Sequence, residues 1–140
     1  MIDWVNPPMA TRTPLAQGLE ISFYPGKHSE KSCGFILYQA NRPLLSYSAD
    51  SQLDEAFYRI LDQAETFIMD ARPLPNAWHA DFTQIKPWLK KQRYILGHGI
   101  DPQNRNAPEY AGLPLLFSGD RLALNTINFH QNSYTGDPSK

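Results

Sequence analysis

Leu44-Leu45-Ser46-Tyr47-Ser48 stops at Asp50, Phe67-Ile68-Met69 stops at Asp70, and Tyr94-Ile95-Leu96 stops at Gly97-His98. Each run is short and strongly apolar, and each reads as a strand bounded by turn residues. Between the first two, Leu53, Ala56, Phe57, Ile60, Leu61 and Ala64 recur at the 3.6-residue period, which predicts an amphipathic helix. Ser51 followed by Asp54 resembles a capping box at its start. Between the second and third runs, Asp81 is placed to cap another helix with Phe82, Ile85, Trp88 and Leu89 facing inward. Pro87 deletes a backbone donor there, so a kink or a late start is expected. Parallel strands joined by helical crossovers end at one common edge. Asp50 and His98 fall at that edge, with His79 in the loop fed by the run that ends at Asp70.

Upstream, Leu19-Glu20-Ile21-Ser22-Phe23 alternates as a half-buried strand does, and Pro25-Gly26 signals a turn. Gly34 to Tyr38 reads as a strand covered on both faces, and Ala40-Asn41-Arg42 is a weak hairpin turn before Leu44. The predicted order is therefore β-β-β-α-β-α-β, an α/β layer. Pro7, Pro8 and Pro14 predict an irregular arm over residues 1–17, ahead of a single α/β domain over 18–124. Pro102, Pro108 and Pro114 divide the segment after His98 into short extended pieces, and residues 125–140 read as a polar, peripheral tail.

The 140 residues suit one domain, and 41% apolar with 19% charged residues excludes a disordered chain. A formal charge of −1 gives no general attraction to nucleic acid or to an acidic membrane. The densest basic group, Lys86, Lys90, Lys91 and Arg93, is expected on a solvated helix face. Cys33 is the only cysteine, which excludes an intrachain disulfide and points to a buried, inert thiol. The start shows no basic segment followed by an apolar core, and no run reaches the ~20 residues that span a bilayer. A cytoplasmic protein is expected.

Familiar catalytic motifs are missing: no Gly-x-Ser-x-Gly, no phosphate-binding Gly-rich loop, no His-Glu-x-x-His and no Cys-x-x-Cys. The remaining candidates are Asp50, Asp70, His79 and His98, with His28 beside them. Carboxylate oxygen and imidazole nitrogen suit zinc or another divalent metal, and a histidine outside the ligand set can protonate a leaving group. Each residue also has a structural role open to it. Asp50 is placed to cap the following helix, His79 to hydrogen-bond in its loop, and His98 to sit in a turn between two glycines.

Ser48-Ala49-Asp50-Ser51, Phe67-Ile68-Met69-Asp70-Ala71, His79-Ala80-Asp81 and Leu96-Gly97-His98 occur in the order of elements found in metallo-β-lactamase-like hydrolases. From about Gly18 to Ile100 the sequence resembles the C-terminal half of that fold, including its RNase Z-like branches. The resemblance implies half of an αβ/βα sandwich, a zinc or other divalent metal on Asp50 and His98, and a catalytic role for His79. The family's His-x-His-x-Asp-His signature is absent, since none of His28, His79, His98 and His130 lie two positions apart. Together these imply a partial or remnant metal-dependent hydrolase, inactive alone and completed by an N-terminal-half partner chain or by a second copy. The alternative is a non-catalytic module that keeps the half-fold for binding or assembly. On either reading, Asp50, His79 and His98 should converge on one sheet edge.

Overall fold

The structure, a computed structural model, describes residues 6–126. Its centre is a mixed sheet. Strands β1 (Thr13–Ala16), β2 (Leu19–Pro25), β3 (Cys33–Gln39) and β4 (Arg42–Tyr47) form an antiparallel meander. After helix α1 (Glu55–Leu61), β5 (Thr66–Arg72) lies parallel to β4. The two-residue β6 (Ala80–Asp81) pairs with the end of β5 and leads into α2 (Phe82–Ile85). Strand β7 (Arg93–Leu96) then lies parallel to β5, and β8 (Leu115–Leu116) closes the far edge. The main path across the sheet runs β1-β2-β3-β4-β5-β7-β8. This contains the expected β-β-β-α-β-α-β order, with short strands added at both ends and at β6.

The N-terminal addition corrects the expectation of an irregular arm. Pro14 is accommodated because β1 is an edge strand, where a missing donor leaves no ladder bond unmade. The β3–β4 turn also differs from its reading. Ala40 and Asn41 both adopt positive φ, 49° and 63°, between the paired residues Gln39 and Arg42. Two left-handed residues in a two-residue loop make a primed turn, whose twist matches that of the strands.

Helix α1 starts later than its periodicity suggests. Asp54, not Ser51, caps it, accepting from the Phe57 amide at 3.0 Å. Ser51 is buried and accepts instead from the Lys27 amide at 2.9 Å, tying the β2–β3 loop to the loop after β4. Phe57, Leu61 and Ala64 face the core as expected, but Ala56 is exposed and Tyr58 takes the central position. The Tyr58 ring meets Phe67 at 5.5 Å and Trp88 at 5.4 Å between centroids, joining α1, β5 and the segment after α2. At α2 the capping box of Asp81 with Gln84 is present, and Pro87 converts the continuation into a 3-10 turn over Lys86–Trp88.

Arg93 departs from its expected solvated position. It is buried at the start of β7, donating to Asp62 Oδ1 at 2.7 Å and to the carbonyls of Asp62, Ala64 and Glu65. It thus satisfies backbone carbonyls of the link between α1 and β5. Cys33 is half-buried rather than fully buried.

The two faces of the sheet differ. One carries Ile36, Leu44, Phe67, Met69 and Ile95, all fully or almost fully buried. Across the other runs a single row of partners: Phe23 opposite Phe35, Phe35 opposite Tyr47, Tyr47 opposite Ile68, and Ile68 opposite Tyr94. Paired residues point to the same side of a sheet. All five are half-buried, so this face is apolar across five strands and only partly covered among the described residues.

Candidate metal-binding and acid-base site

Strand β5 positions the centre of the site. Asp70 is completely buried, and its backbone amide donates to Ser48 Oγ at 2.8 Å. The Ser48 amide donates to the Ile68 carbonyl at 3.1 Å, so the β4–β5 ladder extends just past the end of β4. Ala49 then takes a positive φ of 50°, turning the chain so that Asp50 lies beside Asp70. A second tie runs from the Ala80 amide to the Ser51 carbonyl at 2.9 Å, drawing the His79 loop against the same turn.

A buried carboxylate is stable only when paired and hydrogen-bonded. Asp70 meets this requirement with both oxygens. Oδ2 lies 2.8 Å from His79 Nδ1, and Oδ1 lies 3.0 Å from His98 Nδ1. A carboxylate only accepts, so without a cation each imidazole carries a proton on Nδ1, and a cation held between the carboxylates and His98 would take the place of the His98 proton. Both Nε2 atoms lie 3.5 Å from Arg72 Nη2. Asp70 and Arg72, two positions apart on β5, therefore hold the two rings from opposite sides.

The glycines around His98 have specific causes. A Cβ on Gly97 would come within 2.7 Å of the Phe117 ring. Gly99 has φ of 82°, and a Cβ there would stand 2.9 Å from Arg72 Nη1. Both allow the chain to pass close to neighbours while presenting His98.

The structure brings together Asp50, Asp70 and His98, whose potential ligand atoms all lie within 4.8 Å of one another. Among the described residues this is the one group of three or more such side chains with ligand geometry. Two carboxylate oxygens and one imidazole nitrogen are a suitable donor set for a divalent cation. Three protein ligands also leave positions free. His79 lies outside this group but against it, with its ring centroid 6.3 Å from that of His98. The His28 ring meets His79 edge to face at 5.0 Å between centroids. Asp50 does not cap α1, since Asp54 does. A shallow cleft of about 300 Å³, lined in part by Tyr47, Asp50, His98 and Phe117, opens beside the group. Burial raises the Tyr47 phenol to about 12, and the negative charges of Asp70 and Asp50 act in the same direction.

Sequence reasoning included Asp70 among the candidates but gave the metal only to Asp50 and His98. It missed Arg72. The signal was present in the period of two along β5, which places Arg72 on the side that carries Asp70.

No protein-family model matches the sequence, and a search of curated proteins finds no match. Among solved structures, the chain is similar to the metallo-β-lactamase fold protein YhfI from Bacillus subtilis. The identity is 13% and the TM-score 0.59, over 81% of this chain and 52% of that one. It is also similar to Igni18, described as a metallo hydrolase from the hyperthermophilic archaeon Ignicoccus hospitalis. Here the identity is 16% and the TM-score 0.57, over 90% of this chain and 61% of that one. At such identities the likeness establishes the fold. This chain has a partial metallo-β-lactamase fold and spans less than two thirds of either relative.

Proposed function

We propose that this chain is part of a metal-dependent hydrolase, with a divalent cation held by Asp50, Asp70 and His98 and with His79 as its acid-base residue. The observation that carries this reading is the buried Asp70 carboxylate, bracketed by two histidines and joined by Asp50. Two carboxylates at one turn repel each other unless a cation or protons lie between them. Zinc is one ion that suits the donor set. A bound divalent cation would acidify a water molecule and polarise the bond to be cleaved. The chain's own contribution is orientation. Asp70 orients the His79 ring through Nδ1, and Nε2, 3.5 Å from Arg72 Nη2, is the atom that would take or return a proton at a reacting group. The ring sits at a solvent boundary, with 14% of its side chain exposed, so exchange with solvent remains open.

The open apolar face supports a second element of this reading. A sheet face with aromatic and aliphatic side chains across five strands calls for another layer. We infer that a second chain, either an N-terminal-half partner or another copy, covers this face and completes the ligand set. A non-catalytic assembly module would use the same face but would require neither bound metal nor the Asp70 pair. Metal content separates the two. The protein purified without chelator should carry zinc or another divalent ion by elemental analysis, and Asp50→Asn and His98→Ala should each lose it. Equal metal content in all three proteins would remove the hydrolase reading.

A further inference from the structure

A second feature adjoins Arg72. A cavity of about 770 Å³ opens there, and Arg72 forms part of its wall. Among the described residues Arg72 has no carboxylate within ion-pair distance, and its Nε is buried with no hydrogen-bond partner. Among the described residues its hydrogen-bond contacts are two imidazole nitrogens at 3.5 Å. Arg72 is half-buried, its Nε is shut off from water without an acceptor, and an oxyanion is the ligand that best matches a guanidinium's planar set of donors.

The other walls define the rest of the ligand. Lys86 supplies a second cation and Thr83 a hydroxyl, against one carboxylate from Glu109. Two cations and one anion leave the cavity with an excess positive charge. Phe82 and Tyr110 also line it, with ring centroids 6.1 Å apart and planes at 83°, so a ligand ring can meet the face of one and the edge of the other. The volume lies within the usual range for pockets that take small organic molecules.

We propose that this cavity binds a small organic oxyanion, with a phosphate or carboxylate head on Arg72 and a flat ring against Phe82 and Tyr110. Arg72, which also lies 3.5 Å from the Nε2 atoms of His79 and His98, would link the head group to the site described above. As a substrate site the proposal rests on the hydrolase reading; as a binding site it stands without metal.

The test uses the full chain stripped of metal with chelator, so that failure of the metal site cannot disguise the result. Binding of 2-naphthyl phosphate, 2-naphthoate, 2-naphthol and inorganic phosphate is measured by calorimetry. At least one of the two aromatic anions should bind about tenfold more tightly than the neutral naphthol, and more tightly than phosphate alone. If only the phosphate ester binds, the head is a phosphate; if only the naphthoate binds, it is a carboxylate. Arg72→Met should weaken the preferred anion by about tenfold or more, and Lys86→Met by less. Chemical-shift changes in the unmodified protein should centre on Thr83, Lys86 and Tyr110, which locates the site even if Arg72→Met fails to fold. Naphthol binding as tightly as both anions, shifts centred elsewhere, or no binding of any aromatic probe would overturn the proposal.

Discussion

Asp70 is held from three directions: Ser48 fixes its backbone, and His79 and His98 each take one carboxylate oxygen. Replacing it by Asn keeps the shape but removes the charge and half of the accepting capacity. Asp70→Asn should therefore free one imidazole to turn and weaken divalent-metal affinity by more than tenfold, as loss of a liganding carboxylate with its attendant hydrogen bonds does. Calorimetric titration of the variant and the unmodified protein checks this. Tyr47 gives a residue-scale prediction of a different kind. Its phenol is raised to about 12 in the folded chain, against about 10 for a free tyrosine. Between these values the folded state binds more protons than the unfolded state, so stability falls as pH rises. Its contribution is intact below about pH 10 and is lost as the pH climbs toward 12. Burial shifts the Tyr58 phenol in the same direction, so some slope remains without Tyr47. Thermal melts of Tyr47→Phe from about pH 9 to 12 should show a shallower fall than those of the unmodified protein.

At the scale of elements, α1 is fixed to the sheet by close contact rather than by length. Phe57 is buried beneath it, and a Cβ on Gly34 would stand 2.7 Å from both the Phe57 ring and the Tyr47 carbonyl. Phe57→Ala should cost about 3–5 kcal/mol, and Gly34→Ala about 1–3 kcal/mol through overpacking. Ile60, only half-buried, should cost clearly less than Phe57 when truncated to Ala. Chemical denaturation measures all three. Asp81→Ala should cost about 1 kcal/mol, because the capping box it forms with Gln84 opens a helix of only four residues. These elements also show what was legible in the sequence. The strands at β2, β3, β4, β5 and β7 carry strong local patterns, and α1 has its helical period, so their existence followed directly. Tyr58 was missed because its position depends on Phe67 and Trp88, which approach only in the folded chain. Arg93 departs from its solvated reading because its partners, carbonyls in the link after α1, lie about thirty positions away. At the site, Asp50 and His98 were legible as strand-end residues. The pairing of Asp70 with both histidines depends on where two loops cross, which local spacing does not encode.

The whole molecule is a mixed sheet with one well-covered face, one partly covered apolar face, and a site where β4, β5 and β7 end. The same edge places His98 between two different groups: Asp70 at Nδ1 and Arg72 at Nε2. A carboxylate and a guanidinium thus flank one imidazole. The partial fold leads to an expectation about assembly: the apolar row from Phe23 to Tyr94 should be protected when a second chain docks. Replacing Phe35 by Lys on that face should shift sedimentation of the unmodified assembly toward the monomer, while leaving the α1 side intact. The central claim is that Asp50, Asp70 and His98 form a metal site, and titration of chelator-stripped protein with cobalt(II), followed by visible absorption, tests it most directly. One equivalent of cobalt per site should produce saturating ligand-field bands that zinc displaces, and these should be lost in Asp70→Asn. Absence of such bands, or bands of equal strength in Asp70→Asn, would contradict it.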